Sequence, residues 1–178
     1  MRSDGAFSGL RVAVVATGSA SGETGGAERL YTGLRDALAA EGCSAELITV
    51  PSDESTFERI LETYERCRSL DLTAFDLVIS TKAPTYAIRH HRHVSWLVHT
   101  VRVFYDMFDE SFPSPSAELL EQRDRIRRLD TEALGRAMYR FSIGHEVSAR
   151  LRRWNDLDAE VLHPPLAIDR FREGEFGD

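Results

Sequence analysis

The chain has 178 residues, of which 42% are hydrophobic and 29% charged, and its formal net charge is −7. This size and composition are typical of one globular domain with a buried core. The negative charge argues against a surface that binds nucleic acid. Two arginine clusters lie beside Asp or Glu in helical patterns, so we interpret them as solvated helix faces. They are Arg123, Arg125, Arg127 and Arg128, and Arg150, Arg152 and Arg153.

The sequence shows neither a secretory signal nor a membrane span. The first residues, MRSDGAFSG, are polar, and the apolar run Val12 to Ala16 is too short to cross a bilayer. Cys43 and Cys67 are far apart, which favours free thiols in a reducing compartment over a disulfide. We therefore expect a cytoplasmic protein without a transmembrane segment.

Strand and helix patterns alternate from the start of the chain. Leu10–Ala16 is a short Val-rich run, which predicts a strand buried on both faces. After a glycine-rich loop, apolar residues at helical spacing predict a helix over Ala27–Leu38 that ends at Gly42. Ala45–Val50 predicts a second strand, which we expect Pro51 to stop.

The alternation continues through the middle of the chain. Phe57–Tyr64 predicts a second amphipathic helix with Ser55 as its N-cap. Asp76–Ser80 and Val94–His99 predict the third and fourth strands. The segment between them, Ala83–His91, has room for one or two helical turns.

Four further elements complete the pattern. A long charged helix is predicted over Ser116–Arg136, a fifth strand over Tyr139–Ile143, a helix through Val147–Trp154 and a short sixth strand over Glu160–His163. Helices of about ten or more residues between strands imply parallel crossovers. We therefore predict an α/β fold, a Rossmann-like doubly wound parallel sheet of about six strands in a three-layer α/β/α arrangement.

The predicted domain organisation is simple. Residues 1–8 are expected to be a flexible N-terminus, residues 9–171 one Rossmann-like domain, and residues 172–178 the start of an interdomain linker. Within the sheet, Leu10–Ala16 and Asp76–Ser80 should lie in the interior.

The glycine-rich loop after the first strand is a candidate anion site. Gly25 and Gly26 directly precede a helix, whose free N–H groups an anion could approach without a Cβ in the way. The spacing is neither G-x-G-x-x-G nor a P-loop, so the motif does not specify a dinucleotide or a nucleoside triphosphate. A plain loop with turn glycines is the competing interpretation.

A second candidate cluster follows the third and fourth strands. His99 closes the fourth strand and should emerge at the carboxyl edge of the sheet, the edge of the glycine loop. Lys82 follows the third strand, and Arg102, Tyr105 and Asp106 follow His99. We expect these side chains to line one polar crevice that suits a sugar or a phosphorylated acceptor. A structural role for a lone histidine is the alternative.

Other chemistries find little support. The run His90–His93 lacks an i, i+4 histidine pair and a cysteine partner, and Arg92 would repel a cation, so we predict no metal site. Ser80, Ser95 and Ser142 lack a nucleophile-elbow context, and neither cysteine has an activating partner. We expect no cofactor.

Taken together, several segments resemble glycosyltransferase family 4 and the related GT-B enzymes. The resemblance covers residues 9–171. It rests on Gly25-Gly26-Ala27-Glu28-Arg29, on Ser80-Thr81-Lys82-Ala83-Pro84-Thr85-Tyr86, on Trp96-Leu97-Val98-His99 running into Tyr105-Asp106, on Phe141-Ser142-Ile143 with Val147 to Trp154, and on Val161-Leu162-His163-Pro164-Pro165.

This resemblance implies one half of a two-domain enzyme. The N-terminal domain of such enzymes binds the acceptor, and a C-terminal domain holds most of a nucleotide-diphosphate sugar. The family pattern implies that Gly25 and Gly26 approach the donor diphosphate and that His99 is a catalytic residue near the transferred sugar or the acceptor hydroxyl. It also implies transfer with retention and without a metal. The donor domain is missing from these 178 residues, so we expect the chain alone to be inactive.

Two other functions stay open. A stand-alone Rossmann-like module could bind a phosphorylated ligand without catalysis. An oxidoreductase or methyltransferase domain is weakened by the missing dinucleotide fingerprint and by the lack of an acidic residue after the second strand.

Overall fold

A computed structural model of the protein describes residues 7–19 and 26–164. Its strands are β1 (Arg11–Ser19), β2 (Ser44–Ser52), β3 (Leu77–Ser80), β4 (His93–Leu97), β5 (Tyr139–Ser142) and β6 (Glu160–Val161). Its α-helices are α1 (Gly26–Ala40), α2 (Phe57–Arg68), α3 (Phe108–Ser111), α4 (Ala117–Gly135) and α5 (His145–Asn155), and two 3-10 turns span Thr85–Ala87 and Arg102–Phe104.

The six strands form one parallel sheet in the order β2-β1-β3-β4-β5-β6. β1 and β3 are therefore interior strands, as predicted, and helices flank the sheet on both faces. The Rossmann-like three-layer α/β fold expected from the alternating pattern is confirmed.

Two apolar layers hold the helices on the sheet. Ala13 and Val15 of β1 face the larger core, which contains residues of α2, α4 and α5. Val12 faces the other side, where it packs in a cluster that includes Leu30 and Leu34 of α1. Side chains alternate across a strand, so a strand buried on both faces must be apolar at every position, as the Val-rich run of β1 is.

The end of β2 differs from the prediction. β2 continues through Pro51, which is paired with Gly18 of β1. The strand is not stopped because β2 lies at the edge of the sheet, where a residue without an N–H removes no bond to a further strand. The carbonyl of Pro51 instead accepts a hydrogen bond from Arg66 Nη1 at 3.2 Å.

Several boundaries also shift by a few residues. Thr56, not Ser55, caps α2, because its Oγ1 accepts from the Arg59 N–H at 3.3 Å while the Ser55 N–H donates to Asp53. Ser116 caps α4 as expected, through the Leu119 N–H at 3.2 Å. Gly42 follows α1 with a φ of +93°, a conformation that favours glycine at a helix end.

The later strands are shorter than predicted. β4 ends at Leu97 rather than at His99, and β6 ends at Val161 rather than at His163. The predicted helical segment between β3 and β4 is a single 3-10 turn. Neither the short helix α3 nor the 3-10 turn over Arg102–Phe104 was expected, since both are too short to show a periodic pattern.

A buried polar cluster joins three helices beneath the sheet's larger core. Asp130 of α4 is fully buried and accepts hydrogen bonds from the hydroxyls of Tyr64 on α2 and Tyr105. Asn155 of α5 donates to the Tyr105 oxygen at 3.2 Å and to Thr131 Oγ1 at 2.8 Å. Burial raises the pKa of Asp130 to about 6, and the hydrogen bonds from Tyr64 and Tyr105 oppose that rise.

Candidate functional site

The strand order changes direction between β1 and β3, whose carboxyl ends lie at the same edge of the sheet. Open α/β sheets bind ligands in the crevice outside such a switch point. Lys82 lies two residues beyond β3 and is therefore at this position. It is also the only lysine in the sequence.

Two main-chain hydrogen bonds place Lys82 beside His99. The N–H of Val98 donates to the carbonyl of Thr81 at 2.8 Å, and the N–H of Ala83 donates to the carbonyl of His99 at 3.0 Å. These bonds extend the pairing of β3 with β4 beyond the ends of both strands. The structure thus brings together two of the residues that sequence analysis selected.

The ring of His99 has a defined tautomer when it is neutral. Its Nδ1 lies 2.8 Å from the carbonyl oxygen of Thr100, and because a carbonyl only accepts, Nδ1 carries the proton. Nε2 is then the nitrogen with a free lone pair. Burial lowers the pKa of the half-buried His99 ring below its usual value, the Thr100 hydrogen bond opposes this, and the nearby charge of Lys82 lowers the pKa further.

Charged side chains from other segments lie near this pair, and Arg150 links it to Asp106 and Arg102. Glu54, just after β2, lies 3.9 Å from the Lys82 ammonium. Arg150 of α5 binds Asp106 at 2.9 Å, and Arg102 binds the same carboxylate at 2.7 Å. We refer to His99 together with these three cations and two carboxylates as the crevice, a set rich in hydrogen-bond donors.

Asp106 is occupied by its two arginine partners. Burial acts to raise the pKa of Asp106, but the hydrogen bond from Arg102 and the charge of Arg150 outweigh it and leave the pKa below its usual value. A carboxylate held in this way is a weak base, so Asp106 orients the guanidinium groups rather than accepting a proton. Nε of Arg150 is buried and has no hydrogen-bond partner in the described part of the chain.

Tyr105 does not line the crevice, and its assignment as an acceptor-binding residue does not fit its position. The side chain is only 2% exposed, and its hydroxyl donates to Asp130 at 2.7 Å. Its ring packs edge-on against Trp154, with centroids 5.9 Å apart. The preceding 3-10 turn directs Tyr105 inwards, while Arg102 and Asp106, four residues apart, pair on the outside.

Two members of the crevice, Glu54 and Arg150, were not among the predicted site residues. Glu54 could have been found, because it follows β2 and so lies at the same sheet edge as Lys82. Arg150 was assigned to a solvated helix face, yet its side chain is only 11% exposed. Arg127 is likewise half-buried, since its guanidinium lies over the rings of Tyr105 and Trp154.

The glycine-loop prediction extends beyond the described residues. Gly25 lies outside them, and Gly26 is the first residue of α1. The predicted flexible N-terminus and linker also fall mainly outside, although Phe7 and Ser8 form a turn in which the Leu10 N–H donates to the Phe7 carbonyl at 3.2 Å.

The histidines before β4 have structural partners. His93 is buried, and its Nε2 lies 2.8 Å from Ser80 Oγ. Nε2 of His90 donates to the Phe75 carbonyl at 3.1 Å. Across residues 7–19 and 26–164, no three His, Cys, Asp or Glu side chains are grouped in a way that could hold a metal ion. No helix in these ranges is both long enough and apolar enough to cross a bilayer.

The architecture is that of a Rossmann-like α/β protein, and charged side chains lie near the switch point of its sheet. No protein-family model matches the chain, and no curated protein matches its sequence at a significant level.

Proposed function

We propose that this chain is the acceptor-binding domain of a glycosyltransferase that takes a sugar from a nucleotide-diphosphate sugar. The observation that carries the proposal is the pairing of His99 with Lys82 at the switch point. A neutral imidazole with a free Nε2 stands there among cationic donors. The segments that resemble the GT-B enzymes supply the class of reaction.

Each residue of the crevice has a role in this proposal. Nε2 of His99 accepts the hydrogen bond of the acceptor hydroxyl and holds that oxygen in position for attack. Lys82, Arg102 and Arg150 donate hydrogen bonds to the acceptor's oxygens, and Asp106 fixes the two guanidinium groups. The unpartnered Nε of Arg150 is a donor that a bound acceptor would satisfy.

The donor nucleotide requires contacts that this crevice does not offer. The chain carries a net charge of −7 and so has no general attraction for a nucleotide. Its sequence also has no motif that would hold a base or a ribose. We therefore assign the nucleotide to a second domain, with Gly25 and Gly26 reaching its diphosphate. Transfer is proposed to retain the anomeric configuration and to take place in the cytoplasm, where Cys43 and Cys67 would stay free thiols.

A second function fits the same residues. Lys82 and Arg150 beside His99 could bind a phosphorylated ligand in a module without catalytic activity. The unmet donor of Arg150 favours this alternative as much as it favours an acceptor.

Titration calorimetry of the chain against UDP-, GDP- and ADP-sugars tests whether the donor nucleotide binds to a second domain rather than to this chain. We expect a Kd no tighter than about 1 mM, equivalent to about −4 kcal/mol, and neither hydrolysis nor transfer. Micromolar binding would place the donor site in this chain and contradict the two-domain proposal.

The single lysine provides a probe of the acceptor site. Reductive methylation with ¹³C-formaldehyde labels Lys82 and the terminal amine and preserves the charge of both. Titration with sugars and sugar phosphates should shift the Lys82 methyl signal, and His99→Gln should weaken that response. If the sugars and sugar phosphates shift only the methyl signal of the terminal amine, or neither methyl signal, the result would argue against an acceptor site beside Lys82.

A further inference from the structure

A cavity of about 330 Å³ lies at the opposite edge of the sheet from His99. It is lined by Ile88, Arg89, His90, His93 and Arg136. His93 is the first residue of β4 and Arg136 directly follows α4, so the cavity opens at the amino ends of the strands. Its volume falls at the lower end of the range typical of pockets for small molecules, roughly 300–1,000 Å³.

The lining of this cavity is cationic. Two of its residues are arginines, and none is a carboxylate. Arg136 pairs with Glu132 at 2.7 Å, but both side chains are about half exposed or more, and such surface pairs contribute little. Arg89 is exposed and has no ion-pair or hydrogen-bond partner within the ranges that the structure describes. An anion would therefore meet the guanidinium of Arg89, unpaired within the described residues, and that of Arg136, whose exposed pair with Glu132 is weak.

His93 adds a directional polar group. Its Nε2 lies 2.8 Å from Ser80 Oγ, whereas its Nδ1 has no hydrogen-bond partner among the described residues. Burial lowers the pKa of His93 to about 4, and the charges of His90 and Arg136 act in the same direction, so the ring is neutral near pH 7. When Ser80 donates to Nε2, the ring proton is on Nδ1, which can then donate to a ligand oxygen.

The remaining wall is rigid and partly apolar. The His90 ring is fixed to the main chain through the Phe75 carbonyl at 3.1 Å. Ile88 lines the cavity although only 2% of its surface is exposed, and the aliphatic stems of Arg89 and Arg136 add apolar surface. A ligand with both a charged head and a small apolar body would contact both parts of the lining.

We propose that this cavity binds the phosphate or carboxylate group of a small organic ligand, with Arg89 and Arg136 neutralising the charge, His93 donating a hydrogen bond and Ile88 packing on the apolar part. This site is separate from the crevice at His99, and the proposal does not depend on the glycosyltransferase assignment. Guanidinium groups suit such oxyanions because their planar donors match two oxygens at once.

Phenyl phosphate is a suitable probe, with inorganic phosphate, benzoate and phenol as comparison ligands. Binding to the chain would be followed by NMR of ¹⁵N-labelled histidines and by the ¹³C-methyl signal of Lys82. We expect saturable shifts of His93, tighter binding of phenyl phosphate than of either inorganic phosphate or phenol, and a Lys82 signal that does not move. Benzoate should compete with phenyl phosphate.

Three variants locate the binding. Arg89→Gln and Arg136→Gln should each lower the affinity for phenyl phosphate at least fivefold. Arg92→Gln is the matched control, because Arg92 is an exposed neighbour that does not line the cavity. This variant should bind phenyl phosphate with the same affinity as the wild type. Thermal unfolding of each variant checks that the fold is retained, and Arg89 has no partner whose loss would disturb it.

The possible contrary results are distinct. Equal affinity in both cavity variants and the wild type would overturn the proposal, as would a response at Lys82 that follows the same curve. Phenyl phosphate binding no better than inorganic phosphate would overturn the assignment of an organic ligand. A response at Lys82 would instead locate the ligand in the crevice at His99, whereas the other results do not bear on that crevice.

Discussion

The hydroxyl of Tyr105 donates a 2.7 Å hydrogen bond to the carboxylate of Asp130, which lies on α4 with no exposed surface. Tyr64 donates to the other oxygen of the same carboxylate. Asp106, which orients Arg102 and Arg150, is the next residue after Tyr105. The segment that carries part of the crevice is thus anchored in the core through Tyr105, whose hydroxyl is bonded to both Asp130 and Asn155.

Asp130→Ala should destabilise the protein by about 2–3 kcal/mol near pH 7, because it leaves the buried hydroxyls of Tyr64 and Tyr105 without their acceptor. Urea unfolding measures the change. Asp124→Ala is the control on the same helix, since its carboxylate is about half exposed, and its effect should stay within about 0.5 kcal/mol. Equal effects of the two substitutions would mean that the buried cluster is not held by Asp130.

The same carboxyl should leave a signature in the pH dependence of stability. Its pKa is raised from 3.8 to about 6 in the folded protein, so the folded state binds the proton more tightly than the unfolded state. The resulting stabilisation is fully present below about pH 4 and is lost as the pH rises through about 6. Relative to Asp130→Asn, the wild type should lose on the order of 2 kcal/mol between pH 4 and pH 7, measured by urea unfolding at each pH. A constant difference across that range would be inconsistent with a raised pKa.

His93 should act in the opposite direction. Its pKa falls from 6.5 to about 4 on folding, mainly because of burial, so the unfolded state binds the proton more tightly. The contribution of the neutral buried ring to the free energy of unfolding is fully present above about pH 6.5 and is lost as the pH falls towards 4. His93→Gln keeps a partner for Ser80 but removes the titrating ring. The pH dependence of stability between pH 6.5 and pH 4 should therefore be smaller in this variant, by up to about 3 kcal/mol. The control His91→Ala removes an exposed ring, and a flattening there as large as in His93→Gln would refute the assignment.

His99→Ala should lower kcat/KM at least tenfold in the proposed transfer reaction, assayed with a protein that also carries the donor domain. Tenfold corresponds to about 1.4 kcal/mol of transition-state stabilisation. Because the pKa of His99 is lowered, the acid limb of the pH–rate profile should fall below the usual range of histidine. His91→Ala serves as the control for an exposed ring. Unchanged kcat/KM in a folded His99→Ala protein would leave His99 a structural role only.

The sequence was sufficient to predict the sheet, because apolar runs and helical periodicity are local patterns. β1 and β3 contain the uninterrupted apolar runs Val12–Ala16 and Leu77–Ile79, and interior strands of a parallel sheet require apolar side chains on both faces. The end of β2 was missed because the effect of Pro51 depends on whether its strand is at an edge, and strand order is not encoded locally.

The crevice was predictable only in part. Lys82 and His99 follow neighbouring strands, so topology alone places them at one edge. Tyr105 was misplaced because a one-turn 3-10 helix sets its direction, and such a turn has no periodic signal. Arg150 was missed because its burial comes from packing of α5 against distant segments, which a helical pattern alone does not reveal.

Pro51 affects whether another chain can add a strand to the outer edge of β2. Its carbonyl accepts a hydrogen bond from Arg66, which lies outside the sheet on α2, and proline has no N–H to donate. On the outer edge of β2, this position therefore offers an incoming strand no donor, and its acceptor is already engaged by Arg66. A second chain trying to extend the sheet there would lose two main-chain hydrogen bonds at one residue. The long edge strand is thus protected against strand addition and the aggregation that follows from it.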